Sequence, residues 1–208
     1  MMKTNEIQIF NKGIENCKTL SQNLKFADYN LVTARFNGFC TPYFRFFGTE
    51  KFADFHSNIF ELNNNPFFTH NTKSDFTQDA FFVFGEDILG DLYCFSDEHQ
   101  KVAKVYCEDI TVEYFASSSI LSFIEEFIIA DDVTFLDTDF LATLEALPQP
   151  SFNEHYSFIL PLTCGGEYNA ENVEICDRFT HWDFLAQVIK VTQSLSENTI
   201  IKEFKTKS

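Results

Sequence analysis

The chain is 208 residues long, contains 27 phenylalanines and has a formal net charge of −16 at pH 7. This length can bury a full hydrophobic core, and because Phe has no polar group we expect most of the rings to lie inside it. The acidic balance argues against nucleic acid as a partner, since few cations are available to displace counterions from phosphate.

Signals for export, membrane insertion and cofactor binding are missing. Residues 1–10 lack an apolar run behind a basic start, and no stretch approaches the ~20 apolar residues of a membrane span, so we expect a cytoplasmic protein with no membrane partner. The six cysteines form no Cys-x-x-Cys pair and the five histidines fall singly. This pattern predicts reduced thiols, no metal site and no cofactor.

The first part of the chain is predicted to alternate between helix and strand. Apolar residues spaced three to four apart predict an amphipathic helix over residues 5–25. Residues 28–36 lead to the Asn-Gly dipeptide at 37–38, which favours positive φ and therefore a tight turn or a helix stop. The aromatic run 39–48 predicts a strand whose start, at Pro42, would lie at a sheet edge.

A hairpin over residues 81–95 is predicted at the centre of the fold, as two apolar strands joined by a short acidic turn. A short helix at 51–62 and a surface loop at 67–80 precede it, and the alternating residues 101–108 add a third strand. These strands predict an antiparallel meander with one well-buried face.

The C-terminal half is predicted to contain three helices and two strands. In residues 117–128, three serines that can cap a helix are followed by apolar residues whose spacing forms one stripe. A second short helix is predicted at 137–147, strands at 156–162 and 173–176, and a last helix from a capping box at Thr180. With no linker visible, we predict one α+β domain over the whole chain, a central antiparallel sheet flanked by helices.

Acidic residues are concentrated in one tract. Between Lys104 and Arg178 there is no Lys or Arg, whereas fifteen acids fall in this interval: Glu108, Asp109, Glu113, Glu125, Glu126, Asp131, Asp132, Asp137, Asp139, Glu145, Glu154, Glu167, Glu171, Glu174 and Asp177. Such a tract would attract a basic protein and accelerate its association. The alternative is that these acids only solubilise a Phe-rich core.

No catalytic motif is visible. The sequence has no Gly-x-Ser-x-Gly elbow, no phosphate-binding loop ending in Gly-Lys-Ser/Thr and no Gly-x-Gly-x-x-Gly. Adjacent acids such as Glu125 and Glu126 face different directions on a helix, although two distant acids can still assemble a glycosidase-type pair. We therefore predict that the protein is not an enzyme and has no catalytic residue.

Several motifs resemble the SUKH superfamily, which groups bacterial immunity proteins with a yeast cell-wall synthesis regulator family. The similarity is carried by the Asn-Gly dipeptide at 37–38, the aromatic-Gly-acid pattern within 82–95, the Phe-rich helix at 122–127 and the C-terminal run 160–185. It covers roughly residues 24–193, and it implies a single SUKH-like domain over 1–208 with its core at about 24–193 and no chemistry of its own.

The resemblance also implies a function. Bacterial members of the superfamily mostly act as immunity proteins, which bind and neutralise a toxin that a polymorphic toxin system delivers between neighbouring cells. The toxin is often a nuclease or another nucleic-acid-modifying enzyme. A cognate toxin with a basic surface would suit the acidic tract. The alternative is a regulatory or scaffolding protein of the same fold that binds another cellular partner. Candidate partner contacts are the acids that we expect on the hairpin turns: Glu86, Asp87, Asp91, Asp97 and Glu98.

Overall fold

The chain folds around one large antiparallel sheet. The computed structural model describes residues 8–9, 27–33, 37–49, 59–63, 81–129, 136–192 and 195. Within these ranges, seven strands pair in chain order, each antiparallel to the next: β1 (Gln8–Ile9), β2 (Gly38–Cys40), β3 (Phe44–Phe47), β4 (Phe81–Asp87), β5 (Leu92–Ser96), β6 (Lys101–Tyr106) and β7 (Thr111–Tyr114).

A second, two-stranded antiparallel sheet and several helices accompany it. The small sheet consists of β8 (Glu154–Phe158) and β9 (Val173–Asp177). The helices are α1 (Ala27–Thr33), α2 (Ile59–Asn63), α3 (Ile120–Phe123, continued by a π-helix at Ile124–Ile129), α4 (Thr138–Thr143) and α5 (Arg178–Thr192), with 3₁₀ turns at Leu162–Cys164 and Ala170–Asn172. The predicted α+β class with a central antiparallel meander is confirmed.

The β4–β5 hairpin lies in the middle of the sheet because its residues suit a pleated, buried surface. Val83, Phe84 and Tyr93 are each at most 2% exposed. A bulge between Val83 and Gly85 shifts the register, so that Gly85 lies opposite Tyr93. Gly85 leaves room for the ring of Phe44, which would lie 2.5 Å from an added Cβ.

Two hydrophobic cores hold the sheets and helices together. The larger core includes Phe123 of α3 and Trp182 of α5, both fully buried. The smaller core fills the space between α4 and the small sheet, and also contains Ile88 from the β4–β5 turn. The backbone N–H of Tyr156 in β8 donates to the carbonyl of Ile88 at 2.9 Å. This hydrogen bond fixes the small sheet against the tip of the β4–β5 hairpin.

The helix starts follow side-chain capping, and one predicted start is wrong. Ser119 and Ser122 form a capping box at α3, as the serine run predicted. The predicted cap at Thr180 is not used, because Asp177 at the end of β9 accepts a hydrogen bond from the Thr180 N–H at 3.0 Å. Asp177 therefore holds the cap position three residues before Thr180, and helix α5 begins at Arg178.

Other differences from the predictions lie near the N-terminus. The aromatic run 39–48 forms two strands joined by a turn that contains Pro42, and β3 is an interior strand. This placement suits Pro42, since a turn needs no ladder hydrogen bond from its nitrogen. Gly38 has the expected positive φ, 102°. Residues 8–9 form a strand instead of helix, and the rest of 5–25, most of 51–62 and the loop 67–80 lie outside the described residues.

Candidate functional site

A buried ammonium group joins two carboxylates at the β4–β5 turn. Lys104 Nζ lies 2.9 Å from Asp87 Oδ2 and 3.1 Å from Asp91 Oδ2. Asp87 also accepts hydrogen bonds from the backbone N–H groups of Leu89 and Asp91, and from the Tyr93 hydroxyl. Burial opposes the charge of Lys104, but Asp87, Tyr93 and Asp91 together outweigh this effect and raise the Lys104 pKa above its usual range.

Asp91 is the second carboxylate that contacts Lys104. Burial raises its pKa to about 7, although the positive charge of Lys104 acts in the opposite direction. One ammonium cannot fully compensate two buried carboxylates, so a proton on Asp91 relieves the excess negative charge. Its Oδ1 accepts a hydrogen bond from the Cys107 N–H at 3.1 Å, which anchors the end of β6.

A second buried ion pair lies on the opposite face of the sheet, because Glu86 precedes Asp87 in the strand. Arg178, the first residue of α5, donates from Nε to Glu86 Oε2 at 2.8 Å. Arg45 is the cross-strand neighbour of Glu86, with Nη1 3.6 Å from Oε1. Burial opposes ionisation of Glu86, but the neighbouring Arg178 and His155 together outweigh this effect and lower the pKa of the carboxyl to about 2.

Two histidines extend from Glu86 towards the end of β6. His155 Nδ1 lies 3.7 Å from Glu86 Oε2, and His155 Nε2 lies 2.6 Å from His181 Nδ1. His181 Nε2 in turn lies 3.6 Å from Glu108 Oε1. Burial lowers the pKa of His155 to about 4. His155 is held close to the hairpin because Gly90 has no side chain: an added Cβ would lie 2.7 Å from the imidazole.

A cleft of about 680 Å³ opens between the end of the large sheet and the small sheet. Its polar lining comprises Asp91, Lys104, Tyr106, Glu108, Asp109, Thr111, Glu113, Asp137 and Tyr168, and its apolar lining comprises Leu89, Phe115, Phe127, Leu136, Phe158 and Leu162. Five acidic side chains therefore line the cleft against one ammonium, and that ammonium is already paired with buried Asp87 and with Asp91, which is one of the five.

Hydrogen bonds hold the cleft carboxylates in fixed positions. The Tyr106 hydroxyl donates to Glu113 Oε2 at 2.7 Å, and Asp109 Oδ1 accepts from Thr111. Glu108 Oε2 accepts from a backbone N–H, whereas its Oε1 is buried without a hydrogen bond. These donors are neutral, so they orient the carboxylates without removing their negative charge.

One side chain of the cleft lining, Tyr168, is an exposed apolar group, and two more exposed apolar side chains follow β8 in the chain. Ile159, Leu160 and Tyr168 are among the most exposed large apolar side chains in the described part of the chain, at 54%, 42% and 49%. They lie in the segment after β8, whose Phe158 and Leu162 line the cleft. An acidic cavity beside exposed apolar side chains is the arrangement expected for contact with a basic protein surface that also carries apolar residues.

The structure separates the five predicted contact acids into two groups at opposite ends of the β5–β6 hairpin. Glu86 and Asp87 are 0% exposed, so the expectation that they lie on an accessible turn is wrong: both belong to β4 and neutralise buried cations. Asp91 is almost buried but lines the cleft. Asp97 and Glu98 lie in the β5–β6 turn, away from the cleft, where Glu98 is exposed; their role as contacts stays a prediction.

Sequence reasoning did not identify the residues that complete the site. Lys104, Glu108, His155, Arg178 and His181 come from different elements, and nothing local to any of them indicates its partner. One usable signal was present: charged residues inside apolar strands must be paired when the strand is buried. Lys104 in the alternating strand 101–108 met this condition, as did Arg45 in the aromatic run 39–48.

Membrane and metal signals are also missing from the structure as far as it is described. No helix in those ranges combines the length and the apolar character that a membrane crossing requires. Among the same residues, no three or more His, Cys, Asp or Glu side chains are grouped so as to hold a metal ion.

These features define the class: an α+β protein with an acidic, partly apolar cleft backed by buried ion pairs. No protein-family model matches the chain, and no curated protein matches it. Among solved structures, the crystal structure of Atu4351 from Agrobacterium tumefaciens is similar over 70% of this chain and 67% of its own, with a TM-score of 0.49 and 16% sequence identity. A similarity at this level carries no information on function.

Proposed function

We propose that this protein is a cytoplasmic immunity protein that binds and neutralises a cognate toxin of an interbacterial toxin system. The toxin is a nuclease or another nucleic-acid-modifying effector, and the immunity protein acts by binding without chemistry of its own. The acidic cleft, with five carboxylates against one ammonium, is the observation that carries this proposal. The cleft offers a cationic partner both negative charge and apolar contact surface.

The chemistry of the partner supports this assignment. An enzyme that acts on nucleic acid presents basic side chains to phosphate, and an acidic protein can occupy the same surface. The cleft walls exclude part of the solvent, which strengthens attraction between a carboxylate and an entering Lys or Arg. The apolar loop at Ile159–Leu160 adds a contact that does not depend on charge.

Buried carboxylates support a binding role over a catalytic one. Glu86 and Asp87 are each held by cations and have no exposed surface, so neither can reach a substrate. Apart from Asp91, which pairs with Lys104, the carboxylates that line the cleft accept hydrogen bonds from neutral donors and face a cavity that a basic side chain can enter. Charge complementarity of this kind contributes mainly to the rate and specificity of association.

Co-expression with a toxin from a neighbouring open reading frame tests the proposal, with growth rescue as the readout. For the purified pair, Glu113→Gln with Asp109→Asn should weaken binding about fivefold per charge, if each contributes about 1 kcal/mol. Glu171→Gln with Glu174→Gln is the matched control, because both acids are exposed and neither lines the cleft.

The association rate should fall as salt rises, because the attraction is between accessible charges. Equal effects of the cleft pair and the control pair, or an association rate indifferent to salt, would contradict binding through the cleft. Capture of a cellular protein without growth rescue would instead favour the regulatory or scaffolding alternative.

A further inference from the structure

Two tyrosines of the cleft lining each hold a carboxylate beside their hydroxyl. The Tyr106 hydroxyl donates to Glu113 Oε2 at 2.7 Å, and the Tyr168 hydroxyl donates to Asp137 Oδ2 at 3.2 Å. Tyr106 and Glu113 belong to the neighbouring strands β6 and β7. Asp137 directly precedes α4, and Tyr168 lies between β8 and β9. The cleft is therefore lined by tyrosine–carboxylate pairs from two separate parts of the fold.

The Tyr168–Asp137 pair is fixed in place before any partner arrives. The Tyr168 ring stacks on the Phe140 ring with the centroids 4.0 Å apart, and it also packs against Phe158 at 5.6 Å. Asp137 caps α4, because its Oδ1 accepts from the Phe140 N–H at 2.9 Å. The Tyr168 side chain nevertheless stays 49% exposed. A group that contacts this ring therefore does not have to pay for ordering it.

Within the described ranges, Glu113 and Asp137 form no ion pair. Lys104 is the direct cross-strand neighbour of Glu113. Its ammonium nevertheless contacts Asp87 and Asp91 at the β4–β5 turn. The hydrogen bonds to Glu113 and Asp137 come from hydroxyl and amide donors, which leave the negative charge in place. These two carboxylates therefore still lack a cation.

The surroundings of Asp137 favour a guanidinium group over an ammonium group. A guanidinium is planar, is more weakly hydrated than an ammonium and stacks on aromatic faces such as that of Tyr168. Its fork of N–H donors can also reach both oxygens of one carboxylate. Each Asp137 oxygen accepts one hydrogen bond already, and a carboxylate oxygen has room for a second. The apolar lining, which includes Phe127 and Phe158, excludes part of the water that an ammonium would retain.

A second copy of the chain is a poor source of this cation. The arginines of the described ranges, Arg45 and Arg178, are 5% and 0% exposed, and both contact Glu86. A second copy would also bring its own net charge of −16 to the cleft. An enzyme that acts on nucleic acid, in contrast, uses arginine to bind phosphate and presents it at its surface.

We propose that the cleft receives an arginine side chain of the partner protein, with the guanidinium against the Tyr168 ring and the Asp137 carboxylate. This inference rests on the proposed function and adds the chemistry of the contact, because the cleft then selects arginine and not positive charge alone. The carboxylates, including Glu113, supply the attraction, and the Tyr168 ring supplies the preference for a planar cation.

Three blocked pentapeptides test this selectivity on the free, full-length protein. Their central residue is arginine, lysine or citrulline, which keeps the planar shape of arginine without its charge. The shifts of backbone amide signals in ¹H–¹⁵N NMR spectra at low salt give the affinities. The arginine peptide should bind about threefold more tightly than the lysine peptide, as expected for a cation–π contact at an exposed site, and citrulline should bind most weakly. The largest shifts should include the amides of Thr111 and Tyr168, which line the cleft.

Tyr168→Leu separates the effect of the ring from that of the charge. This variant keeps an apolar side chain without a π-face, so the ratio of arginine to lysine affinity should fall to about one. Tyr114→Leu is the matched control, because Tyr114 is also exposed but does not line the cleft, and the ratio should stay at about three. Glu113→Gln should weaken the arginine and lysine peptides alike, since it removes charge only.

Equal affinities of the arginine and lysine peptides for the wild type would overturn the proposal, as would tighter binding of lysine. Arginine-induced shifts that are absent or lie outside the cleft would overturn it too, and so would an unchanged ratio in Tyr168→Leu. The wild-type comparison decides the question even if a variant does not fold.

The peptide result is distinguishable from the test of the proposed function, because no toxin is present in the sample. Absence of growth rescue would contradict the immunity role, whereas the peptides report the selectivity of the cleft in either case.

Discussion

Replacing Arg178 with Met tests whether the buried ion pair holds β4 against α5. Arg178 is fully buried and donates to both oxygens of Glu86. The variant leaves the carboxylate without water and with one distant guanidinium, that of Arg45 at 3.6 Å. Removing one partner of a buried pair costs about 3–5 kcal/mol, and we expect a loss of this size in the free energy of unfolding at pH 7.

The pKa of Glu86 gives a second measure of how much the ion pair contributes to the free energy of unfolding. It is about 2 in the folded protein against an ordinary value of 4.5. At about 1.4 kcal/mol per pH unit, this difference corresponds to about 3 kcal/mol. Because the folded-state pKa is the lower one, this stabilisation is fully present above pH 4.5 and is lost as the pH falls towards 2. The R178M variant should lose most of this dependence.

Urea denaturation followed by the fluorescence of Trp182 measures both effects, since this is the sole tryptophan and is buried in α5. Lys190→Met is the control, an exposed position on the same helix where we expect a change within about 0.5 kcal/mol. The reasoning would be refuted if R178M lost less than about 1 kcal/mol in the free energy of unfolding. It would also be refuted if R178M kept the wild-type dependence of stability on pH below pH 4.5.

Two further predictions concern the backbone and use the same denaturation assay. Gly90→Ala should destabilise by about 2–4 kcal/mol, because φ is +83° and the new Cβ would meet the His155 ring at 2.7 Å. Gly165→Ala, at φ +91° with nothing within 4 Å, should lose only about 1–2 kcal/mol, and equal losses would contradict the contact. Ser119→Ala should lose about 1 kcal/mol with the α3 capping box, whereas exposed Ser118→Ala should change little; similar losses would exclude capping as the cause.

Local patterns were enough to predict the central strands and most of the helices. The hairpin over 81–95 combines β-branched and aromatic residues with glycines, and α3 combines an apolar stripe with a serine cap, so each segment indicates its own structure. Strand β7 was not predicted, because Thr111–Tyr114 is short and largely exposed, and its place in the sheet depends on pairing with β6.

The site was less predictable, because its contacts join residues far apart in the chain. Glu86 and Asp87 follow a glycine and look like a turn, yet Glu86 is paired with an arginine 92 residues later. Only the fold brings β4 and α5 together, so periodicity and composition could not predict that Glu86 pairs with this arginine. The acidic tract was visible as charge, and four of its members, Glu108, Asp109, Glu113 and Asp137, line the cleft.

Strand β7 is the last strand of the large sheet, and within the described ranges no other strand pairs with its outer side. Unpaired backbone groups along such an edge invite another copy of the chain to add a strand, which leads towards aggregation. Glu113 places a carboxylate on this edge, so two copies that approach there repel each other. The negative charge that would attract a basic partner thus also opposes association between identical molecules at this edge.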